Sequence, residues 1–350
     1  MTHVVEYGYA NTRVKAMKAR LIDAETMQKL QKAKDAEEMI SILYNTDYKQ
    51  NLIEFGGTSA KAELIDFAIS KNIAEKMEKL VRLTPERHKA IMRMLAAKWD
   101  FANIKLAIEA KERQLSYESI AAYVIDRGPF KAEIIKEAME KKDISDLLGF
   151  FASKATHTLR PVIDDARAAY EKTRNAIDAI NALDYGLLML LATSSMKLFA
   201  EDQKAMRILR TSVDMQNAIT LIRSKLVGLS FEAIEKNIVP YGMLTIETMK
   251  EAYAKAKNVE ELAEGLGIEG LAEGIANWKK TGILAQAEIG MNNALLRKSV
   301  ALASTVLSFA TLVGYAYAKE LEALRIRIML KGKQYGLSEE ELGMLLPERA

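Results

Sequence analysis

Three short patterns recur along this chain in the same order, and a chain that repeats itself at intervals of roughly 100 residues folds as several copies of one unit. The first pattern is an Asn followed by basic residues. It reads ANTRVKAMKAR with Asn11, DFANIKLAIEAK with Asn103 and DMQNAITLIRSK with Asn217, where Ile219 replaces the nearer basic residue. A looser fourth copy, YAKELEALRIR, places Glu320 where the Asn would fall. The second pattern is an apolar residue, Ser or Asp, any residue, Glu, any residue and an apolar residue. It runs Ile22 to Met27, Leu115 to Ile120, Leu229 to Ile234 and Leu337 to Leu342. The third reads KDAEEMISIL, KDISDLLGFF and KNVEELAEGL, with Asp35, Asp143 and Asn258 in the second position.

The second and third patterns are helix starts. A Ser, Asp or Asn side chain accepts hydrogen bonds from the free N–H groups of a first turn, and an acid just inside favours the positive end of the helix dipole. Between them, copies two and three carry a Pro-marked bend, Gly128-Pro129-Phe130 and Pro240-Tyr241-Gly242, which copy one lacks. Long helical stretches follow: Ser59 towards Leu83 and then Pro85 onward, Pro161 to about Phe199, and Gln286 to Leu330. Ala10, Val14, Met17 and Leu21 fall at helical spacing opposite Arg13, Lys15 and Arg20. Ala, Leu, Ile, Met, Glu and Lys dominate the rest, there are only 5 prolines, and strand signals are absent. The expectation is an all-α protein of three similar helical-bundle domains, 1–98, 99–213 and 214–350. Because the helix-start pattern occurs once more than the complete unit, the last helices are expected to return and close on the first.

Composition narrows the chemistry. The chain has no cysteine, which excludes disulfides and thiolate nucleophiles, and a reducing cytoplasmic setting fits. A net charge of +3 is too small to announce a nucleic-acid surface. The N-terminus, MTHVVEYGYANTRVK, has no apolar stretch after a basic start and does not read as a signal peptide. Ser299 to Ala318 is uncharged and long enough to span a membrane, but its hydroxyls, tyrosines and small residues read as a buried core helix.

Catalytic and cofactor motifs are not supported. His3, His88 and His157 have no metal-ligand spacing, and no phosphate-binding GxxxxGK[ST] loop is present. Gly265 to Gly270 matches GxGxxG, but it follows a helical segment where a dinucleotide site needs a strand, so it reads as a helix cap and turn. The acidic pairs Glu37-Glu38, Asp164-Asp165 and Glu339 to Glu341 read as helix first turns. No catalytic residue, cofactor or metal is expected. The Asn-plus-basic motif has two readings. Either its Asn bonds a neighbouring turn and its basic residues sit on a wet face, or its copies line one shared surface around a pseudo-threefold axis.

The stretches YGYANTRVKAMKARLI, KWDFANIKLAIEAK, VDMQNAITLIRSKLVGLS and YAYAKELEALRIRIMLKGKQYGLSEEEL resemble the C subunit of the archaeal A-type ATP synthase, with its bacterial V/A-type counterpart and the d subunit of the eukaryotic V-ATPase. The resemblance runs over nearly the whole chain. It implies a funnel of three helical domains on the cytoplasmic face of the membrane, peripheral to it and seated on the proteolipid ring. The funnel's socket would receive the D and F subunits of the central stalk, with no nucleotide or nucleic acid bound. Carried over by motif, the candidate socket residues are Asn11, Arg13, Asn103, Lys105, Lys111, Asn217, Arg223 and Lys225. The competing expectations are a free helical-repeat scaffold for other proteins and a helical metal-dependent enzyme.

Overall fold

The computed structural model describes residues 2–55, 61–126, 128–198, 201–303 and 308–346, and among them are nineteen α-helices and no strand. Helix α1 (Thr2–Lys18) precedes a short pair, α2 (Ala24–Lys32) and α3 (Ala36–Leu43), then α4 (Lys49–Phe55) and α5 (Lys61–Leu83). A long strut, α6 (Glu86–Glu112), leads into the short α7 (Tyr117–Ile120) and a second pair, α8 (Ala132–Met139) and α9 (Ile144–Lys154). After α10 (Arg160–Thr173) and α11 (Ala176–Ser195) comes the second strut, α12 (Gln203–Leu226), followed by α13 (Phe231–Ile234) and a third pair, α14 (Ile246–Lys255) and α15 (Val259–Leu266). Helices α16 (Leu271–Thr281) and α17 (Ala285–Ala303) lead to the last strut, α18 (Phe309–Gln334), and to α19 (Glu339–Leu345).

The capping signals act as their chemistry dictates. Asp35, Asp143 and Asn258 start the second helix of each pair, accepting from the N–H of Glu38, Asp146 and Glu261, each at 2.9 Å. Asp23, Ser230 and Ser338 cap α2, α13 and α19 in the same way, the last with a full capping box through Glu341. Ser116 sits at the N-cap of α7 without a bond to its first turn. Each strut ends alike: Gln114, Gly228 and Gly336 take the left-handed conformation, and the next N–H (Leu115, Leu229, Leu337) returns to the carbonyl of Ala110, Ser224 and Gly332.

Two of the expected long helices are broken. The stretch after Pro161 ends at Thr173 because Arg174 adopts φ 56°, and the Asn175 side chain then accepts from Ile177 N–H at 2.9 Å to start α11. Phe199, its expected end, lies outside the described residues. The stretch from Gln286 to Leu330 is likewise two helices, since Ser308 is extended (φ −134°, ψ 165°) and α18 begins after it. The uncharged segment 299–318 is therefore not one helix. Its described second half is core, with Phe309, Ala310, Leu312 and Val313 fully buried. Among the described residues one other stretch, Ala176–Leu198, has the length and mean hydropathy (1.3) of a membrane span. It buries Ala179 and Leu183 and pairs Asp184 with Lys105 at 2.7 Å. The struts hold 27, 24 and 26 residues, so each reaches about 40 Å.

The chain divides into two compact units, one formed by Met1–Lys49, Leu83–Pro85 and Ala192–Ala350, the other by Gln50–Arg82 and Glu86–Leu191. In the second, α6 packs on α7, α8 and α9, and α9 packs on α10. Its core joins Phe101, Ile104, Ile108, Leu147, Ile163 and Leu183, with Phe130 edge-on to Phe151 at 5.3 Å. In the first, α12 packs on α15, α17 and α18, and α16, α17 and α18 follow one another as neighbours. Gly274 makes the α16–α17 approach feasible, since a Cβ there would lie 2.4 Å from the Gln286 carbonyl. The C-terminal strut α18 also packs on α1, α2 and α3, and α19 packs on α2. The last strut thus serves the first pair.

Candidate functional site

The Asn residues of the repeated motif face inward. Asn103 is buried; its Nδ2 donates to the carbonyls of Ile125 and Phe130, both at 2.8 Å, and its Oδ1 accepts from Ile125 N–H at 2.9 Å. Asn217 does the same to Val239, donating to its carbonyl at 2.8 Å and accepting from its N–H at 2.9 Å. Each amide thereby fixes the extended segment that carries the Pro-marked bend. Such a segment has no helix or sheet to satisfy its main chain, so a buried side chain must do so.

Two further strut positions complete the device. Eleven residues beyond Asp100 stands Lys111, and eleven beyond Asp214 stands Lys225. The lysines reach across to the C-terminal turn of the first pair helix: Lys111 Nζ donates to the Met139 carbonyl and Lys225 Nζ to the Tyr253 carbonyl, both at 2.9 Å. The acids sit against the bend. Asp214 accepts from Met243 N–H at 2.8 Å and Leu244 N–H at 3.2 Å, while Arg210 donates to the carbonyls of Tyr241 and Gly242 at 2.9 Å. At Gly128 and Gly242 a Cβ would fall 2.1 and 2.0 Å from the oxygen of Asp100 and Asp214, so glycine is required for the acid to approach. Burial raises the Asp100 carboxyl to about 7 and the Asp214 carboxyl to about 6; at Asp214 the two N–H groups and Arg210 oppose the rise.

The third copy is assembled from both ends of the chain. Lys333, in the register of Lys111 and Lys225, donates to the carbonyls of Gln31 (2.8 Å) and Ala33 at the end of α2. Glu322 takes the acid position and accepts from Ile22 N–H at 2.5 Å, the residue before the α2 cap, as Leu244 precedes the α14 cap. Its other oxygen is held by Tyr48 Oη at 2.8 Å and by the fully buried Lys319 Nζ at 2.6 Å, which lies 4.1 Å from the Tyr48 ring centre. Burial, then the Glu322 charge, pushes the Tyr48 hydroxyl well above its usual range, so it stays a donor. This register corrects the fourth sequence motif: Arg325, not Glu320, stands where Asn103 and Asn217 stand, thirteen residues before the helix-start Ser. Asn11 is also one residue out of that register, and its Nδ2 donates instead to the Ser308 carbonyl at 3.3 Å.

Of the eight motif residues singled out from sequence, the structure thus places Asn11, Asn103 and Asn217 in the interior and ties Lys111 and Lys225 to helix ends. Arg13 is exposed. Lys105 pairs with Asp184 at 2.7 Å, and Arg223 pairs with Glu288 at 2.9 Å on the surface. The acids Asp100, Asp214 and Glu322 went unnoticed in the sequence, although an acid three residues before the Asn in DFAN and DMQN was a readable signal.

Elsewhere the chemistry is sparse. Gly267 and Gly270 are left-handed residues in the turn between α15 and α16, which accounts for the GxGxxG match. His88 is buried and His157 hydrogen-bonds Thr158. Among the described residues no group of three or more His, Cys, Asp or Glu is placed to hold a metal ion.

Two struts tied to helix pairs by a buried amide and a lysine, and a third tied by Glu322 and Lys333, define an all-helical repeat protein. Residues 10–344 match the family of the ATP synthase (C/AC39) subunit, and the chain belongs to that family. It is 27% identical to the C subunit of the A-type ATP synthase of Methanocaldococcus jannaschii, over 97% of this chain and 86% of that one. It is 26% identical to the corresponding A-type C subunit of Desulfurococcus, over 98% and 91%. The C subunit of the V-type ATP synthase of Deinococcus radiodurans is 25% identical over 96% and 90%.

Proposed function

We propose that this protein is a non-catalytic adaptor in the central rotor of an A/V-type ATP synthase, seated on the membrane proteolipid ring at the cytoplasmic face and receiving the D and F subunits of the stalk. The observation that carries the reading is the family match over residues 10–344. The clamps support it physically, because a part that transmits torque needs rods that do not slip against their neighbours. Each strut is tied to its partner pair by a lysine, and on α12 and α18 an acid eleven residues before it accepts from main-chain N–H groups at the other end of the pair. In this reading the three repeat domains, 1–98, 99–213 and 214–350, surround a pseudo-threefold axis.

The socket is then lined by the motif's outward residues, Arg13, Lys105 and Arg223, while Asn11, Asn103, Asn217, Lys111 and Lys225 support them from behind. The apolar side chains exposed at the strut ends, Leu115, Val227 and Tyr335, belong to a second contact face. Affinity capture of the tagged chain from solubilised membranes tests the assignment. Recovery of stalk and ring proteins in constant proportion is expected. Capture of unrelated soluble proteins, with stalk and ring absent, would establish the free-scaffold alternative instead.

A further inference from the structure

Helix α1 packs one face on α18 and leaves the other to solvent. Tyr7, Ala10, Asn11, Val14 and Met17 are buried, whereas Tyr9, Thr12, Arg13, Lys15 and Ala16 are exposed, Tyr9 by 70%. The exposed side is basic. Residues 2–20 hold Arg13, Lys15, Lys18 and Arg20 against the single acid Glu6, a net charge of +3, which is that of the whole chain. The outward cations of the repeated motif on α6 and α12 are neutralised, Lys105 by Asp184 at 2.7 Å and Arg223 by Glu288 at 2.9 Å. Those of α1 differ. Among the described residues Arg13 and Lys15 make no ion pair, and Arg20 meets Asp47 only at 3.9 Å, with its side chain 72% exposed.

We propose that this face of α1 is the docking surface for an acidic helix of a partner protein, and that it, rather than the motif's outward residues on α6 and α12, carries the charge attraction. Charge complementarity selects the sign of the partner. Unpaired cations attract carboxylates, and a guanidinium can meet one through two parallel N–H bonds. The residues between the cations select the kind of partner. Arg13 lies along one edge of the face and Lys15 along the other, with Thr12 and Ala16 between them and Tyr9 one turn nearer the start. Thr12 and Ala16 lack the apolar bulk that a helix lying on a lipid surface inserts. They do let a second helix come close while its acids reach both edges. In the rotor reading, on which only the partner's identity rests, the acidic helix belongs to the central stalk.

The chain has no cysteine, so Ala16→Cys places one label in the middle of the face. The full-length variant, labelled with benzophenone maleimide and checked for native circular dichroism, is added at limiting concentration to membranes depleted of their own copy. It is then irradiated, digested and mapped by mass spectrometry. Crosslinks to one Asp- and Glu-rich segment of a stalk protein are expected. Adding Arg13→Gln, Lys15→Gln and Arg20→Gln should lower their yield about tenfold, and added salt should lower it likewise. Lys105→Gln with Arg223→Gln should change it by less than about twofold. An equal fall from that pair, no fall from the triple variant, crosslinks to lipid or to segments without acids, or no crosslink would overturn the proposal. The same charge-dependent crosslink to an acidic segment of a protein outside the synthase would keep the docking face and overturn the rotor reading instead.

Discussion

Asn217 and Val239 are joined through both polar groups of one residue's main chain: the side-chain Oδ1 accepts the Val239 N–H at 2.9 Å and Nδ2 donates to its carbonyl at 2.8 Å. Asn103 and Ile125 repeat the arrangement across the same 22-residue separation. Removing either amide leaves a buried N–H and carbonyl without partners. Asn103→Ala and Asn217→Ala are therefore each expected to destabilise the fold by about 2–4 kcal/mol. Asn11→Ala, which removes the longer bond of 3.3 Å to the Ser308 carbonyl, should cost about 1 kcal/mol. Urea unfolding of the three variants decides the order; equal losses at all three positions would contradict the clamp.

The last-turn lysines act on helices other than their own. Lys225 also lies 4.5 Å from the ring centre of Tyr253, whose carbonyl it caps. Methionine keeps the stem and removes the charge, so Lys225→Met is expected to lower stability by about 1–2 kcal/mol. Hydrogen exchange would locate the change at the end of α14. Lys333→Met should loosen the end of α2 instead, more than 290 residues away in sequence. Exchange rates altered only in α18 would refute the coupling.

Asp100 gives a dependence on pH with a definite sign. Its folded carboxyl is raised by burial to about 7 from 3.8. The protonated form thus favours the fold, and that contribution is complete below about pH 4 and lost as pH rises through 7. Between pH 5 and pH 8 the natural chain is expected to lose about 2–3 kcal/mol through this group alone. Asp100→Asn should remove that loss, so that the variant gains on the parent as pH rises. Paired urea titrations at pH 5 and pH 8 read the difference; a constant difference between the two proteins would contradict the assignment.

Much of this was legible in the sequence because capping is local chemistry. Asp35, Asp143 and Asn258 sit next to the turns they satisfy, so three residues of context suffice to recognise them. The breaks at Arg174 and Ser308 were missed because helix-forming residues on both sides masked a left-handed and an extended position. The site was harder still. Asn103 and Asn217 read equally well as surface or core, and only their partners 22 residues away settle their place. Glu322 was hidden for another reason: its partners, Ile22 and Tyr48, stand near the opposite end of the chain.

The rotor assignment is tested most directly by coupling. An assembled A/V-type complex reconstituted in vesicles, with and without this chain, is assayed for ATP hydrolysis and for ATP-driven ion uptake. The account predicts that omission leaves hydrolysis in the soluble head and abolishes ion uptake, and that adding the chain back restores uptake. Ion uptake that persists at the complete complex's rate without this chain would contradict it.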